Sequence, residues 1–348
     1  MKTLKSLATL TGLALVVSVL AGHTPVRAAD GPYKLLTEIT IGTAGGWDYA
    51  SVDSAGKRLF VSHGTSVVVI DTGKNTVVGE IAPTLGVHGI AVAPELGKAF
   101  VSDGRANKAE IVDLKTLKIV ASVETGQNPD AILYEPAHKA VYTFNGRGKS
   151  ATVIDAVTGT VKATIALPGK PEFAVVDVKA GRIYNNIEDT STIVAIDTTT
   201  HQVVNTWPIA PGEGASGLAI DLTHHRLFAV CDKMMVMLDS TTGKVLGTLA
   251  IGDGPDAAAY DPGTGYVFAS ASDGTMTVAK VDAAGKLTLV QTLATPQATR
   301  TMTLDPATHR LYASAADFKP GPVGADGKPG RSTMVPGSFR VMVYELVQ

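Results

Sequence analysis

The stretch that decides the fold begins with Asp48-Tyr-Ala-Ser-Val-Asp53 and continues with Arg58-Leu-Phe-Val-Ser62 and Ser66-Val-Val-Val-Ile-Asp71. A fourth apolar run, Thr76-Val-Val-Gly-Glu-Ile81, follows the polar segment Asp71-Thr-Gly-Lys74. Short runs rich in β-branched residues and bounded by Asp, Gly and Lys are typical of β-strands joined by tight turns. The four runs therefore predict a small antiparallel sheet.

The same unit recurs along the chain, and its second copy opens with His88-Gly-Ile-Ala-Val92. The residues that open the first run of each copy lie 40 to 44 positions apart. They are Asp48, His88, Asp130, Glu172, Ser216, Asp256 and Arg300. Four short strands repeated every ~40–45 residues are the signature of a propeller blade. The sequence therefore predicts an all-β, seven-bladed β-propeller with four antiparallel strands per blade.

The seventh copy lacks a fourth run, because the chain ends at Gln348 soon after the run at 339–346. A run with the pattern of a fourth strand lies near the other end of the chain, at 33–41. We expect this N-terminal strand to close the last blade, which leaves only short, protected sheet edges.

The N-terminal residues have the pattern of an export signal. Lys2 and Lys5 precede an uncharged apolar stretch at 7–22, and Val26-Arg27-Ala28 supplies small residues before the predicted cleavage point. This pattern predicts a signal peptide over residues 1–28 and a periplasmic or secreted protein without a membrane span after cleavage. Residues 29–348 are then a single propeller domain, which we expect to be a monomer.

Composition excludes several classes of protein. The single cysteine, Cys231, excludes a disulfide scaffold and a cysteine-based zinc or iron–sulfur cluster. A formal net charge of −2 excludes a broadly basic, nucleic-acid-coating surface. A hydrophobic content of 45% excludes disorder, and the 36 glycines and 18 prolines fit many turns between short strands.

The blade sequence that begins at Arg58 resembles the repeats of the YVTN-type (YncE-like) seven-bladed β-propellers. Arg310-Leu-Tyr-Ala-Ser314 and Ala151-Thr-Val-Ile-Asp155 are similar to these repeats, whereas the family's tetrapeptide occurs only in variants such as Ile183-Tyr-Asn-Asn186. The resemblance covers nearly all of the chain after residue 28 and implies the fold. It implies little about chemistry, because propellers host many unrelated functions.

The repeat alignment predicts a polar site at one mouth of the central channel. The first strand of a blade lines the channel, so the seven residues that open these strands form a ring rich in carboxyl groups. The neighbouring ends of the second strands add His63 and Asp103. Crowded carboxyl groups shift their pKa values, pair with a cation such as Arg300, or bind a ligand cation. The predicted ligand-binding residues are Asp48, His88, Asp130, Glu172, Asp256, Arg300, His63 and Asp103.

The sequence is compatible with several kinds of occupant at this mouth. No cofactor is evident, but carboxylates with backbone oxygens suit Ca²⁺, and His63 and His88 beside Asp48 or Asp103 suit Zn²⁺. A wet channel lined by ion-paired polar groups is the simplest alternative. The acidic mouth argues against a nucleic-acid partner. A long segment of the last blade, about 317–337, leaves from the same face and is expected to cover the mouth as a flap.

The sequence favours a binding protein over an enzyme, because it contains no recognised catalytic motif. We expect an exported propeller that presents its acidic channel mouth to a small molecule or a periplasmic protein partner. One alternative is a metal-dependent hydrolase similar to lactonases. Another is an accessory protein of a periplasmic redox pathway, which the resemblance implies because YVTN-type propellers resemble the heavy chains of quinoprotein amine dehydrogenases.

Overall fold

Seven antiparallel sheets of four strands each make up most of the computed structural model, which describes residues 31–43, 45–322, 330 and 332–347. The predicted signal peptide, residues 1–28, lies outside the described residues. The described helices are two single 3-10 turns, Pro94–Leu96 and Glu188–Thr190. Among the described residues, none forms a helix with the length and apolar character needed to cross a membrane.

Each blade runs from an inner strand at the channel to an outer strand at the rim. The inner strands are Ala50–Asp53, Val87–Ala93, Pro129–Glu135, Pro171–Asp177, Leu218–Asp221, Pro255–Asp261 and Met302–Asp305. The second strands are Arg58–His63, Lys98–Asp103, Ala140–Asn145, Arg182–Ile187, Arg226–Cys231, Tyr266–Ala271 and Arg310–Ala315. The third strands are Ser66–Asp71, Lys108–Asp113, Ser150–Asp155, Thr192–Asp197, Met234–Asp239, Thr275–Val281 and Arg340–Leu346. The outer strands are Thr76–Ile81, Lys118–Glu124, Val161–Ala166, Val203–Pro208, Val245–Ala250, Leu287–Ala294 and Tyr33–Thr40.

The core lies between the blades, because each sheet packs both faces against its neighbours. The third residue of every second strand is aromatic and buried, and it contributes to these interfaces. These residues are Phe60, Phe100, Tyr142, Tyr184, Phe228, Phe268 and Tyr312. Phe60, for example, packs in a cluster with Val101 and Val112 of the next blade. The predicted seven-bladed propeller is confirmed.

The N-terminal strand closes the ring as predicted. It pairs antiparallel with the last strand, with Tyr33 opposite Leu346 and Thr40 opposite Arg340. The backbone of Tyr33 is also bound by the side chain of Gln291 in blade 6, which accepts from its N–H at 3.0 Å and donates to its carbonyl at 2.8 Å. The closing strand therefore joins blades 6 and 7.

Candidate functional site

The inner strands of four blades begin with a β-bulge, where their pairing with the second strand shifts register. The shifts lie between Val87 and Ile90, Pro129 and Ile132, Pro171 and Ala174, and Pro255 and Ala257. The bulged residues include four of the predicted site residues, His88, Asp130, Glu172 and Asp256. A bulge kinks the strand and re-aims a side chain, so it turns these groups toward the channel mouth.

Polar side chains of the second strands hold this bulged backbone in place. Ser102 Oγ accepts a hydrogen bond from Gly89 N at 2.8 Å and donates to the carbonyl of Asp130, in the next blade, at 2.6 Å. Ser270 makes the equivalent bond to the carbonyl of Arg300 at 2.6 Å. These positioning residues were not predicted from the sequence. Their signal was the serine near the end of several second strands.

A cavity of about 420 Å³, here called the acidic cavity, opens at this mouth. Its lining residues are Asp48, Tyr49, Asp130, Lys170, Glu172, Glu188, Gly214, Ser216, Gly254, Pro255, Asp256, Ser272 and Arg300. Five of the six predicted residues that open inner strands line it, and the sixth, His88, contacts the lining residue Asp48. Lys170 and Glu188 were not predicted, because they belong to loop positions outside the aligned ring.

Two cations of the acidic cavity pair with three of its carboxyl groups, because Lys170 contacts Glu188 as well as Glu172. Asp256 contacts the guanidinium of Arg300, and Glu172 lies 2.6 Å from Lys170 Nζ. Burial raises the pKa of Asp256 to about 7, although Arg300 opposes the shift. Burial and the charge of Asp130 likewise raise the pKa of Glu172, despite Lys170. Both carboxyl groups therefore hold their protons to higher pH than a carboxyl group in water.

His88 joins two of the aspartates. Its Nδ1 lies 2.7 Å from Asp48 Oδ2 and 3.5 Å from Asp130 Oδ1. Burial opposes protonation, but the hydrogen bond to Asp48 and the charge of Asp130 raise the pKa of His88. Burial and the neighbouring Asp48 raise the pKa of Asp130 to about 6. The ligand atoms of these three residues lie within 4.8 Å of one another, which is close enough to hold a metal ion.

A second cavity of about 380 Å³, here called the basic cavity, adjoins the acidic cavity. It is lined by Gly46, Trp47, Asp48, Gly64, Gly86, Val87, His88, Arg105, Asn128, Arg147 and Arg300. Asp48 and Arg300 line both cavities. An acidic mouth was predicted from the sequence, whereas Arg105 and Arg147 were not, because they lie in turns between second and third strands, outside the ring of inner-strand residues. The mouth therefore has one acidic and one basic side.

Two predicted residues, His63 and Asp103, line neither cavity. His63 is 4% exposed, and its ring stacks on Phe339 with centroids 4.2 Å apart and bonds Thr43 Oγ1 through Nε2 at 2.8 Å. Asp103 accepts from Leu85 N at 2.9 Å, and burial raises its pKa to about 6. Both residues lie at the predicted ends of their strands, but their side chains are buried among neighbouring loops and strands and do not reach either mouth cavity.

The described base of the predicted flap reaches the edge of the basic cavity. Phe318–Lys319 pairs with Thr333–Met334 as a short ribbon, and Phe318 contacts Trp47 with ring centroids 6.1 Å apart. Trp47 itself lines the basic cavity. Residues 323–329 and 331 lie outside the described residues, so the flap over the mouth stays a prediction.

Tyr49 marks the floor of the mouth. It lines the acidic cavity and also two cavities of about 280 and 270 Å³ deeper in the channel. Its ring contacts Phe173, with centroids 5.3 Å apart. Burial and the nearby mouth carboxylates, Asp130 first among them, raise the pKa of Tyr49 well above its usual range. Its hydroxyl is therefore neutral and available as a hydrogen-bond donor.

Comparison with known proteins supports the fold more than the chemistry. No family model matches the chain. A segment of 94 residues is 28% identical to "Uncharacterized protein YncE" of Salmonella typhi and, with the same figures, of Salmonella typhimurium. The match covers 26% of this chain and 26% of each relative, so it spans about a quarter of the curated relatives' length. The resemblance to YncE-like propellers is confirmed to that extent.

A solved structure entitled "Kuenenia stuttgartiensis Hydrazine Synthase" is similar over most of the chain. The TM-score is 0.69, and the alignment covers 91% of this chain and 98% of the other. Only 16% of aligned residues are identical, so this likeness shows the propeller fold alone.

Proposed function

We propose that this protein is an exported, non-catalytic binding protein that takes up a small cationic ligand at its channel mouth. One observation carries the proposal: five carboxyl groups line the acidic cavity, against two cationic side chains, Lys170 and Arg300. Its volume of about 420 Å³ lies in the range of ~300–1,000 Å³ that is typical of small-molecule sites.

The charges of the cavity favour a cationic occupant. Burial raises the pKa values of Asp130, Glu172 and Asp256, which means that the empty cavity disfavours their ionised forms. A bound cation stabilises the ionised carboxylates and lowers these pKa values again. Binding should therefore release protons, and affinity should rise with pH through the range near 7 in which Asp256 titrates.

The test is isothermal titration calorimetry with butylammonium and putrescine at pH 6 and pH 8.5 and at low salt. We expect binding at pH 8.5 and about tenfold weaker binding at pH 6, because a cation that lowers the pKa of one carboxyl group by about 1 gains ~1.4 kcal/mol when that group is ionised. The measured heat should vary with the ionisation enthalpy of the buffer, since protons are released. Asp130→Asn should weaken binding at pH 8.5.

The matched control is Glu124→Gln, which removes an exposed carboxyl group from an outer strand and should leave both affinities unchanged. Absence of binding at both pH values would refute the proposal. Equal binding by the wild-type protein and the Asp130→Asn variant would do the same, because the probe would then lie elsewhere on the surface.

A metal-dependent hydrolase is the second candidate, and the proximity of Asp48, His88 and Asp130 favours it. Three protein ligands with an open fourth position are typical of catalytic zinc sites. These residues fit such an ion only when His88 is neutral, whereas its raised pKa favours the imidazolium. Ca²⁺ and Zn²⁺ as titrants in the same calorimetry distinguish the two candidates. Stoichiometric metal binding that is lost in His88→Asn would favour the hydrolase.

The similarity to the hydrazine synthase structure concerns the fold alone. It therefore does not support the hypothesis that the protein is an accessory of a redox pathway. A protein partner at the mouth remains compatible with the same charges. It would be indicated if neither amine binds but the Asp130→Asn variant loses a partner that the wild-type protein retains.

A further inference from the structure

The basic side of the mouth carries cations whose charges are not balanced within the fold. Of the eight arginines in the described part of the chain, six bond or pair with a described residue through the guanidinium. Arg105 and Arg147 make no such contact there. Both are exposed, and both line the basic cavity. They are the two described arginines left for an external anion.

The turn that carries Arg105 is built to hold its stem against the cavity wall. Gly104 N donates to the carbonyl of Gly86 at 3.0 Å, and Arg105 N donates to the carbonyl of Leu85 at 3.1 Å. The stem of Arg105 then lies across Gly86, where an added Cβ would meet Arg105 Cγ at 2.7 Å. Gly86 has a φ of +73°, so a side chain here would be strained as well as crowded.

The turn that carries Arg147 adjoins the acidic side. A Cβ added at Gly146 would lie 3.8 Å from Asp130 Oδ2 and 3.8 Å from Asn128 Nδ2. Gly146 N donates to the carbonyl of Asn128 at 2.9 Å, which fixes this turn on the inner strand. The backbone that carries Arg147 of the basic cavity therefore lies close to Asp130 of the acidic cavity. Asp48 and Arg300 line both cavities.

A mostly buried tyrosine at the floor gives an independent indication of a ligand. Tyr49 is 7% exposed, and its side chain forms no hydrogen bond with a described residue. Its electrostatic neighbours are the mouth carboxyl groups Asp130, Asp48, Glu172 and Asp256, so the hydroxyl faces the acidic cavity. The side chain is mostly buried while Tyr49 lines the acidic cavity, so a polar ligand there would supply a partner for the hydroxyl.

We propose that the channel mouth binds a zwitterion of the amino-acid or short-peptide type, with its ammonium group in the acidic cavity and its carboxylate at Arg105 and Arg147. This inference rests on the proposed function and adds to it the anionic half of the ligand. Guanidinium groups suit this role because their planar donor pairs match the geometry of a carboxylate. The two charged ends meet complementary sides of one mouth.

The test uses three matched probes: glycylglycine, its C-terminal amide, and its N-acetyl derivative. The first is a zwitterion, the second carries only the cationic end, and the third carries only the anionic end. Calorimetry at pH 7 and low salt, where the α-amino groups are mostly protonated, should show glycylglycine binding about tenfold more tightly than either single-charge probe, because charge-assisted hydrogen bonds are stronger than neutral ones.

Variants separate the two halves of the site. Arg105→Ala and Arg147→Ala should each lower the affinity for glycylglycine toward that for the amide, while the affinity for the amide stays the same. Asp130→Asn should weaken both. Lys179→Ala is the control, because it removes an exposed cation from the turn between the first two strands of blade 4 and should change nothing.

Each failure has its own meaning. If the amide binds as tightly as glycylglycine, and the arginine variants change neither, the zwitterion inference is wrong and the cation-binding function stands. If no probe with an ammonium group binds, both proposals are wrong. Binding of the N-acetyl derivative alone would also overturn both, since the mouth would then be an anion site.

Discussion

The carboxyl groups of the mouth are held in surroundings that oppose their ionisation. Asp256 is buried beside Arg300, and Glu172 is buried beside Lys170 and near Asp130. Burial of several unpaired carboxylates costs much free energy. The fold offsets part of this cost by placing Arg300 against Asp256 and Lys170 against Glu172. The cations do not fully compensate, because the pKa values of Asp256 and Glu172 stay raised.

These pKa shifts predict how stability depends on pH. A carboxyl group whose pKa is higher in the folded than in the unfolded chain binds more protons when folded, so stability falls as pH rises toward the folded pKa. The raised pKa of His88 acts in the same direction, because its stabilising charge is lost at high pH. We expect the melting temperature without ligand to be at least about 2 °C lower at pH 8.5 than at pH 5.5.

Differential scanning calorimetry of Glu172→Gln checks the origin of this effect. The variant should show a smaller difference between the two pH values, whereas Glu124→Gln, an exposed acid on an outer strand, should behave like the wild-type protein. An unchanged difference in Glu172→Gln would mean that groups outside the mouth cause the pH dependence.

The β-bulges at the start of the inner strands show how an element acquires a site. Three of the four bulges begin at a proline, namely Pro129, Pro171 and Pro255. Proline has no N–H to give to a ladder and is tolerated at the first position of a strand. The next residue is an acid in each case, so the chain leaves the regular ladder where a charged side chain must point into the mouth.

Replacement of Ser102 by alanine tests the support of one bulge. The change removes the side-chain partner of the buried Gly89 N–H and of the partly buried Asp130 carbonyl. We expect a loss of about 1–3 kcal/mol in the free energy of unfolding, measured by urea denaturation, together with weaker amine binding. Thr76→Ala, on an exposed outer-strand position, should change stability by less than about 0.5 kcal/mol. Equal losses in the two variants would contradict the assigned role.

The whole ring depends on contacts between residues far apart in the chain. Tyr33 of the closing strand is 1% exposed and packs edge-on against Phe268 of blade 6, with ring centroids 5.1 Å apart. Its strand also supplies the outer edge of blade 7. Loss of this strand would expose a sheet edge and open the ring.

Tyr33→Ala should therefore lower the free energy of unfolding by about 3–5 kcal/mol, as is usual for the loss of a large buried aromatic side chain. Leu35→Ala, on the same strand but 44% exposed, is the matched control and should have a small effect. Urea denaturation followed by circular dichroism measures both. Similar effects of the two variants would show that the strand contributes through its backbone alone.

The sequence was enough to predict the blade number, the strand order, the closing strand and the ring of residues at the mouth. These features follow from local patterns: each blade repeats the same apolar runs and turns, and equivalent positions of equivalent blades meet at one mouth. Placement of Asp48, Asp130, Glu172, Asp256 and Arg300 around one cavity follows from that repetition.

The tertiary structure decided which way each side chain points and which loops join the ring. His63 and Asp103 lie at the expected strand ends but turn away from both mouth cavities. Lys170, Arg105 and Arg147 enter from loop positions outside the ring of inner-strand residues. Lys170 lines the acidic cavity, and the two arginines give the mouth its basic side. The repeat pattern determines the position of each residue along the channel axis. The direction of its side chain depends on bulges, turns and packing between blades, and these involve contacts that are not local in the sequence.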